Sequence, residues 1–375
     1  MCTLFRVLFV ISHLHPLGMD GQKRKVEPMI KTINSWRGLM SVVVVTFHSG
    51  LGQLWNWTYS GVAFFFISSA FLLAMRHPFK QLTATGYRKF VLGHAFRLYP
   101  LHWLALAALI VLALFFHTTT VDWGATALSA LLVQSWSPAH DVHYGLNPVA
   151  WFLSVLLFCY FMYPFMAHWI GRWRLRYKLL LLAVMVLVLG WILVPLDLFG
   201  REVVFVCPLA HVVDFMVGLF LYHLYVVLKG RYSKVSFATA TLIEILSLSL
   251  LVVAIVISVK TTWIKPWEDV LAWLLPQGAI LLAWAFLAGQ EGAVGRMLLW
   301  RPLQWLGNIS FEVFVLQFVA FHIFNYIVSP IAGHYGIMIY GYKSLCVWLV
   351  LLPLAWGVNC WFTKPVGKLI KRLIQ

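Results

Sequence analysis

Two residues of the first apolar stretch carry the side chains that chemistry needs. Arg37 and His48 lie eleven positions apart. At 3.6 residues per turn that is about three turns, so both fall on nearly one helix face, with a rise of roughly 16 Å between them. An ionisable side chain inside a membrane is costly and is a functional candidate by default. Arg37, at the mouth of such a helix, presents a forked cation suited to phosphate. His48, near mid-membrane, presents a neutral imidazole suited to proton abstraction. A lone intramembrane histidine also serves as a satisfied packing residue, and spacing alone leaves both readings open. A second group, Arg88, Lys89, His94 and Arg97, gathers within residues 87–100, ahead of the third apolar stretch. These side chains suit a ligand's phosphates and the headgroups of lipids equally well.

The composition says which elements must position these residues. Of 375 residues, 62% are hydrophobic and only 11% are charged, and mean hydropathy is +0.86. An ordinary soluble domain has about a quarter of its residues charged, and a disordered chain needs low hydrophobicity. Barrel strands alternate apolar and polar over about ten residues. Here the apolar runs are continuous and about twenty residues long, as spanning helices require. Ten such segments are read at 38–56, 60–75, 99–117, 150–168, 179–196, 206–228, 238–259, 270–289, 306–328 and 337–361. The expected fold is an all-α integral membrane bundle of about ten transmembrane helices.

A net charge of +16 resembles a nucleic-acid signature until the charges are placed. With ten spans, 24 of the 28 Lys and Arg fall on one side, leaving Arg201, Lys260, Lys265 and Lys343 on the other. That asymmetry follows the positive-inside rule and places both termini in the cytoplasm. The lipid bilayer is then the expected partner, and nucleic acid is not. The expected organisation is an N-terminal cytoplasmic segment at 1–32, a transmembrane domain at 33–362 and a basic cytoplasmic tail at 363–375. The short apolar run 7–11 reads as a membrane-surface segment or as an over-long start. Pro100 suits the first turn of the third span.

The loop 118–149 on the opposite side carries no Lys or Arg, but holds Asp122, Trp123, Trp136, His140, Asp141 and His143. It suits a carbohydrate-like polar substrate, or a connector anchored at the interface by tryptophan. The five cysteines are scattered and no CxxC occurs, so neither a disulfide framework nor a metal site is expected. Ser68, Ser69 and Ala70 in the second stretch permit close helix approach.

Three features occur in order: Arg37-x10-His48, then GVAFFFISSAF at 61–71, then RLYP at 97–100. Together they resemble the membrane-bound acyltransferase-3 family. The resemblance continues through Gln134-Ser-Trp136, the segment NPVAWFLS at 147–154, Tyr160 and Pro164, Pro208 with Asp214, Phe215 and Gly218, and LGNISF at 306–311. The resemblance implies an O-acyltransferase that moves an acyl group, acetyl by expectation, from cytoplasmic acyl-CoA to a hydroxyl of a saccharide or lipid-linked saccharide. It implies His48 as catalytic base accompanied by Arg37, with Arg97 near the acyl-CoA phosphates and Arg88, Lys89 and His94 beside it. Acyl-CoA is a co-substrate rather than a resident cofactor. The implied location is the inner or plasma membrane of a bacterium.

Departures accompany the match. Ala63 stands where the family usually has an acid, and Leu156 where it usually has Glu. His94 stands where it often has Arg, and Gln317 where its late helix often has His. With two acids gone, Asp214 and Glu312 are the acids left within spans to orient His48 in their place, and buried pairing with a helix neighbour is their alternative role. The rival reading is an exporter of polysaccharide or lipid that shares the fold without its chemistry.

Overall fold

The protein is described by a computed structural model that covers residues 30–51, 59–79, 81–117, 120–193, 200–232, 234–262, 264–267, 270–336 and 342–374. The N-terminal segment, including the apolar run 7–11 and Cys2, lies outside the described residues, as do Lys80, Asp197, Glu268 and Asp269. Among the described residues the regular structure is entirely helical. The principal helices are α1 (Lys31–Thr46), α2 (Tyr59–Arg76), α3 (Ala84–Phe116), α4 (Ala150–Trp169), α5 (Leu175–Leu187) and α6 (Val212–Arg231). They continue as α7 (Phe237–Lys260), α8 (Leu274–Phe286), α9 (Ser310–Ile323), α10 (Lys343–Val358) and α11 (Lys364–Ile374).

Each of the ten apolar segments carries a helix, but they are not ten equal spans. Seven helices are long and apolar enough to cross a membrane. α8 is apolar but has only 13 residues. α1 is diluted by Lys31, Asn34, Ser35 and Arg37, and α5 passes at Val188 into a π-helical turn. Polar dilution and short regular length separate these three from the seven.

α2 sits at the centre. Phe64, Phe66, Ile67 and Phe71 are fully buried, because the helix is apolar all round and is enclosed by α1, α6 and α8. α7 lies at the periphery and turns Leu242, Ile245, Leu246, Val252 and Val256 outward, a face suited to lipid. α9 packs on α1, α3 and α10.

Two parts of the sequence reading are corrected. Pro100 lies inside the 33-residue α3 rather than at a helix start. Its ring removes one backbone bond, to the carbonyl of Phe96, and the loss of one bond leaves a helix of that length intact. The stretch between the second and third apolar segments is therefore largely the first part of α3, with Thr83 capping it through Gly86 N. Residues 363–375 are not a plain tail. α10 passes through a π turn at Asn359–Thr363 directly into α11.

The closest helix pair, α2 and α6, meets at Gly218. A Cβ there would collide with the Ile67 carbonyl and the Ala70 side chain. Gly307, which precedes α9, meets the Asn34 carbonyl of α1 in the same way. Backbone cannot yield as a side-chain tip can, so Gly218→Ala is expected to destabilise the protein by about 1–3 kcal/mol. Gly230→Ala, on the same helix with open space around its Cα, is expected to be neutral. Thermal unfolding of the two variants in detergent checks this, and equal melting temperatures would refute the close-approach account.

Candidate functional site

α1 is a polar helix buried in an apolar bundle, and its side chains are stitched to later elements. Asn34 Nδ2 donates to Gln304 O (3.1 Å) and Asn308 Oδ1 (3.0 Å). Trp36 Nε1 donates to Gln277 Oε1 (3.2 Å). Gln304 Nε2 donates to Ser35 Oγ (2.6 Å) and Lys31 O (2.8 Å). One turn beyond the regular part of α1, Ser49 Oγ bonds Ser344 Oγ of α10 (2.7 Å). These contacts fix the helix that carries both candidate residues.

Arg37 is the exception. Among the described residues it has no ion pair, and its Nε is buried without a hydrogen-bond partner. Its guanidinium lies 6.0 Å from the centre of the Phe65 ring. It lines a cavity of about 280 Å³ whose other walls include Phe65, Phe152, Leu156, Tyr160 and Phe314. Arg97 lines the same cavity and also a second one of about 410 Å³, with Lys89, His94 and Lys371. Arg37 and Arg97 are thus brought to one cavity, and Lys89, His94 and Arg97 to the next. Arg88 is exposed and lines neither. His94 is buried, donates from Nδ1 to Phe90 O (2.8 Å) and packs on the rings of Phe90, Tyr160 and His77.

His48 lines neither cavity. It sits in the π-helical turn Phe47–Leu51 that closes α1, with Gly50 at φ +100° allowing the chain to turn away. Its Nδ1 lies 3.0 Å from Gln317 Oε1. Gln317 Nε2 donates to Phe314 O (2.8 Å), which orients the amide so that its oxygen faces the ring. An amide oxygen only accepts, so Nδ1 carries the proton and the lone pair of the neutral ring is at Nε2. Phe47 and Phe318 flank the imidazole edge-on, at 5.2 and 5.5 Å between ring centres. Phe314 on the cavity wall and Gln317 on His48 are three residues apart on α9, about 4.5 Å along its axis.

The two acids do not orient His48. Asp214 Oδ2 pairs with His211 Nδ1 at 2.7 Å, and His211 Nε2 reaches Phe205 O at 2.6 Å. Glu312 Oε1 accepts from Asn359 Nδ2 at 2.8 Å. Gln317 holds the histidine instead. One contributor escaped the sequence reading. α11 lines both cavities through Gly367 and Ile370, and its apolar–basic period was the available signal. Leu156 lines the Arg37 cavity with hydrocarbon where an acid was expected.

A bundle with seven helices able to span, enclosing a cavity lined by two arginines among mainly apolar side chains, has the features of a membrane protein. The chain belongs to the acyltransferase-3 family: the family model for this acyltransferase domain matches residues 30–364. It is therefore a membrane acyltransferase. No curated protein and no solved structure matches the chain.

A half-buried cation whose Nε has no partner costs stability in the absence of ligand. Arg37→Met, which keeps much of the side-chain length, is expected to melt no lower than the native protein without ligand. A loss of more than about 1 kcal/mol would reveal a structural partner for Arg37 and refute its reading as a ligand group.

Proposed function

We propose that the protein transfers an acyl group, acetyl as the first candidate, from acyl-CoA to a hydroxyl of a saccharide or lipid-linked saccharide. The observation that carries this reading is the guanidinium of Arg37, its Nε without a hydrogen-bond partner, in a mainly apolar cavity that it shares with Arg97. Such a site favours a ligand with an anionic part and a hydrocarbon-like arm. Acyl-CoA combines phosphates with a pantetheine chain. The neighbouring basic cavity, with Arg97, Lys89 and Lys371, suits the nucleotide phosphates through charge-assisted hydrogen bonds. In this reading the basic face is cytoplasmic, and the thioester passes the Phe65, Phe152 and Phe314 rings to reach the level of His48.

The chemistry at His48 follows from its tautomer. The acceptor hydroxyl gives its proton to Nε2 as its oxygen attacks the thioester carbonyl. The tetrahedral adduct collapses, the C–S bond breaks and the CoA thiolate leaves. The imidazolium then returns the proton to the thiolate. Gln317 accepts from Nδ1–H throughout and steadies the imidazolium by its carbonyl dipole. His48 uses no carboxylate in this scheme.

Titration of acetyl-CoA into the detergent-purified protein tests the donor site. Arg37→Ala is expected to raise the dissociation constant about tenfold or more, the worth of a bond to a charged group. Arg97→Ala is expected to raise it less, and mainly at low salt, because Arg97 is exposed and screened. An unchanged constant in Arg37→Ala would remove acyl-CoA from this cavity, and no binding by the folded native protein would favour the exporter reading. His48→Ala is expected to lower acyl transfer by about 10²–10⁴-fold while donor binding persists. Gln317→Leu is expected to lower turnover with little change in KM for the donor. Normal turnover in His48→Ala would overturn the mechanism.

A further inference from the structure

Away from both cavities, three side chains converge in the segment leading into α4. His140 and His143 occupy one turn, His140–His143, and Glu202 lies on the short helix Arg201–Val206. One ligand atom from each lies within 4.8 Å of the others. His140 Nδ1 and Glu202 Oε2 are 2.8 Å apart. His143 is 1% exposed, and its Nε2 is buried without any hydrogen-bond partner. Its Nδ1 faces the Ser137 carbonyl at 3.2 Å. A carbonyl only accepts, so Nδ1 carries the proton and the orphaned Nε2 carries a lone pair. A backbone carbonyl behind a histidine is the arrangement by which metal-binding histidines are oriented.

We propose that His140, His143 and Glu202 bind a divalent transition metal ion, Zn²⁺ in the first instance. Two imidazoles and one carboxylate form a recognised zinc donor set, with a fourth position left for water or a substrate oxygen. At metal–ligand distances of about 2.0–2.2 Å, tetrahedral ligands stand roughly 3.3–3.5 Å apart. Closing from 4.8 Å requires only adjustment of His140 and Glu202, whose side chains are each 62% exposed. The ion satisfies a buried nitrogen, His143 Nε2, that otherwise has no partner. It also ties together two segments far apart in the chain. The second of them carries Phe205, whose ring packs 4.7 Å from Tyr59 and 4.5 Å from Trp151. Tyr59 in turn contacts Phe47, the neighbour of His48. The ion therefore braces the aromatic layer next to the candidate base. This inference does not depend on the acyl donor.

The test is titration of Zn²⁺, with Co²⁺ as a spectroscopic probe, into the full-length protein purified without a histidine tag. The native protein is expected to bind one ion per chain at this site, to show the visible absorption of low-coordinate Co²⁺, and to melt higher with Zn²⁺ but not with Mg²⁺. His143→Ala and Glu202→Gln are expected to weaken binding by at least about tenfold. Because His143 is buried, His140→Ala provides a variant at an exposed position with the same expected loss. Absence of stoichiometric binding by the folded native protein would overturn the proposal. So would unchanged affinity in His140→Ala, which would place the ion elsewhere.

Discussion

The structure depends on one constraint: α1 brings polar side chains into a bundle that has no water to satisfy them. In such surroundings each polar group must be paired within the protein. Asn34, Ser35 and Trp36 are paired by Gln304, Asn308 and Gln277, and His48 by Gln317. These partners all come from the stretch that runs from α8 through α9. The late part of the chain therefore holds α1 at a fixed height and rotation against α2. Gly307 allows this by letting the short helix Arg301–Asn308 approach the α1 backbone at Asn34. Among the described polar side chains of α1, Arg37 stands apart: its Nε has no partner and it faces a cavity.

Much of this was legible before any coordinates. Arg37 and His48 stand out because charge and imidazole are rare in apolar runs, and the basic residues of 87–100 stand out by density. What stayed hidden was of three kinds. Span length was hidden because hydropathy runs over breaks in regularity, such as the π turn after α5. Pro100 was misplaced because proline suits a helix start, and only the structure shows the helix already running for four turns before it. Gln317 was hidden because it registers in a motif only as a departure. Its role lies in a pairing across 269 residues, which spacing along one helix cannot express.

The buried acids illustrate the same limit from the other side. Asp214 and Glu312 were visible as ionisable groups inside apolar segments, and position alone left their partners open. Asp214 is taken by His211 three residues earlier, beneath the Phe66 and Trp151 rings. Glu312 is taken by Asn359 in the turn that leads into α11. Both acids thus anchor loops and turns to the core. α11 itself was legible in principle, since Val366 and Ile370 alternate with Lys364, Lys368 and Lys371 at helical spacing. Its charge drew attention away from its period.

The amide that faces His48 has a consequence for energetics across the membrane. A carboxylate or a second imidazole in that position would exchange protons with its surroundings, and the hydrogen-bond polarity at Nδ1 would follow the acidity of whichever compartment it equilibrates with. A carboxamide has no such freedom. Its oxygen accepts at any physiological acidity, so His48 keeps one tautomer irrespective of the proton-motive force. Among the described residues the histidine is the end of a wire rather than a link in one. Among the described residues, the carboxamide that faces Nδ1 offers no titratable group through which a proton would pass on from that side of the ring.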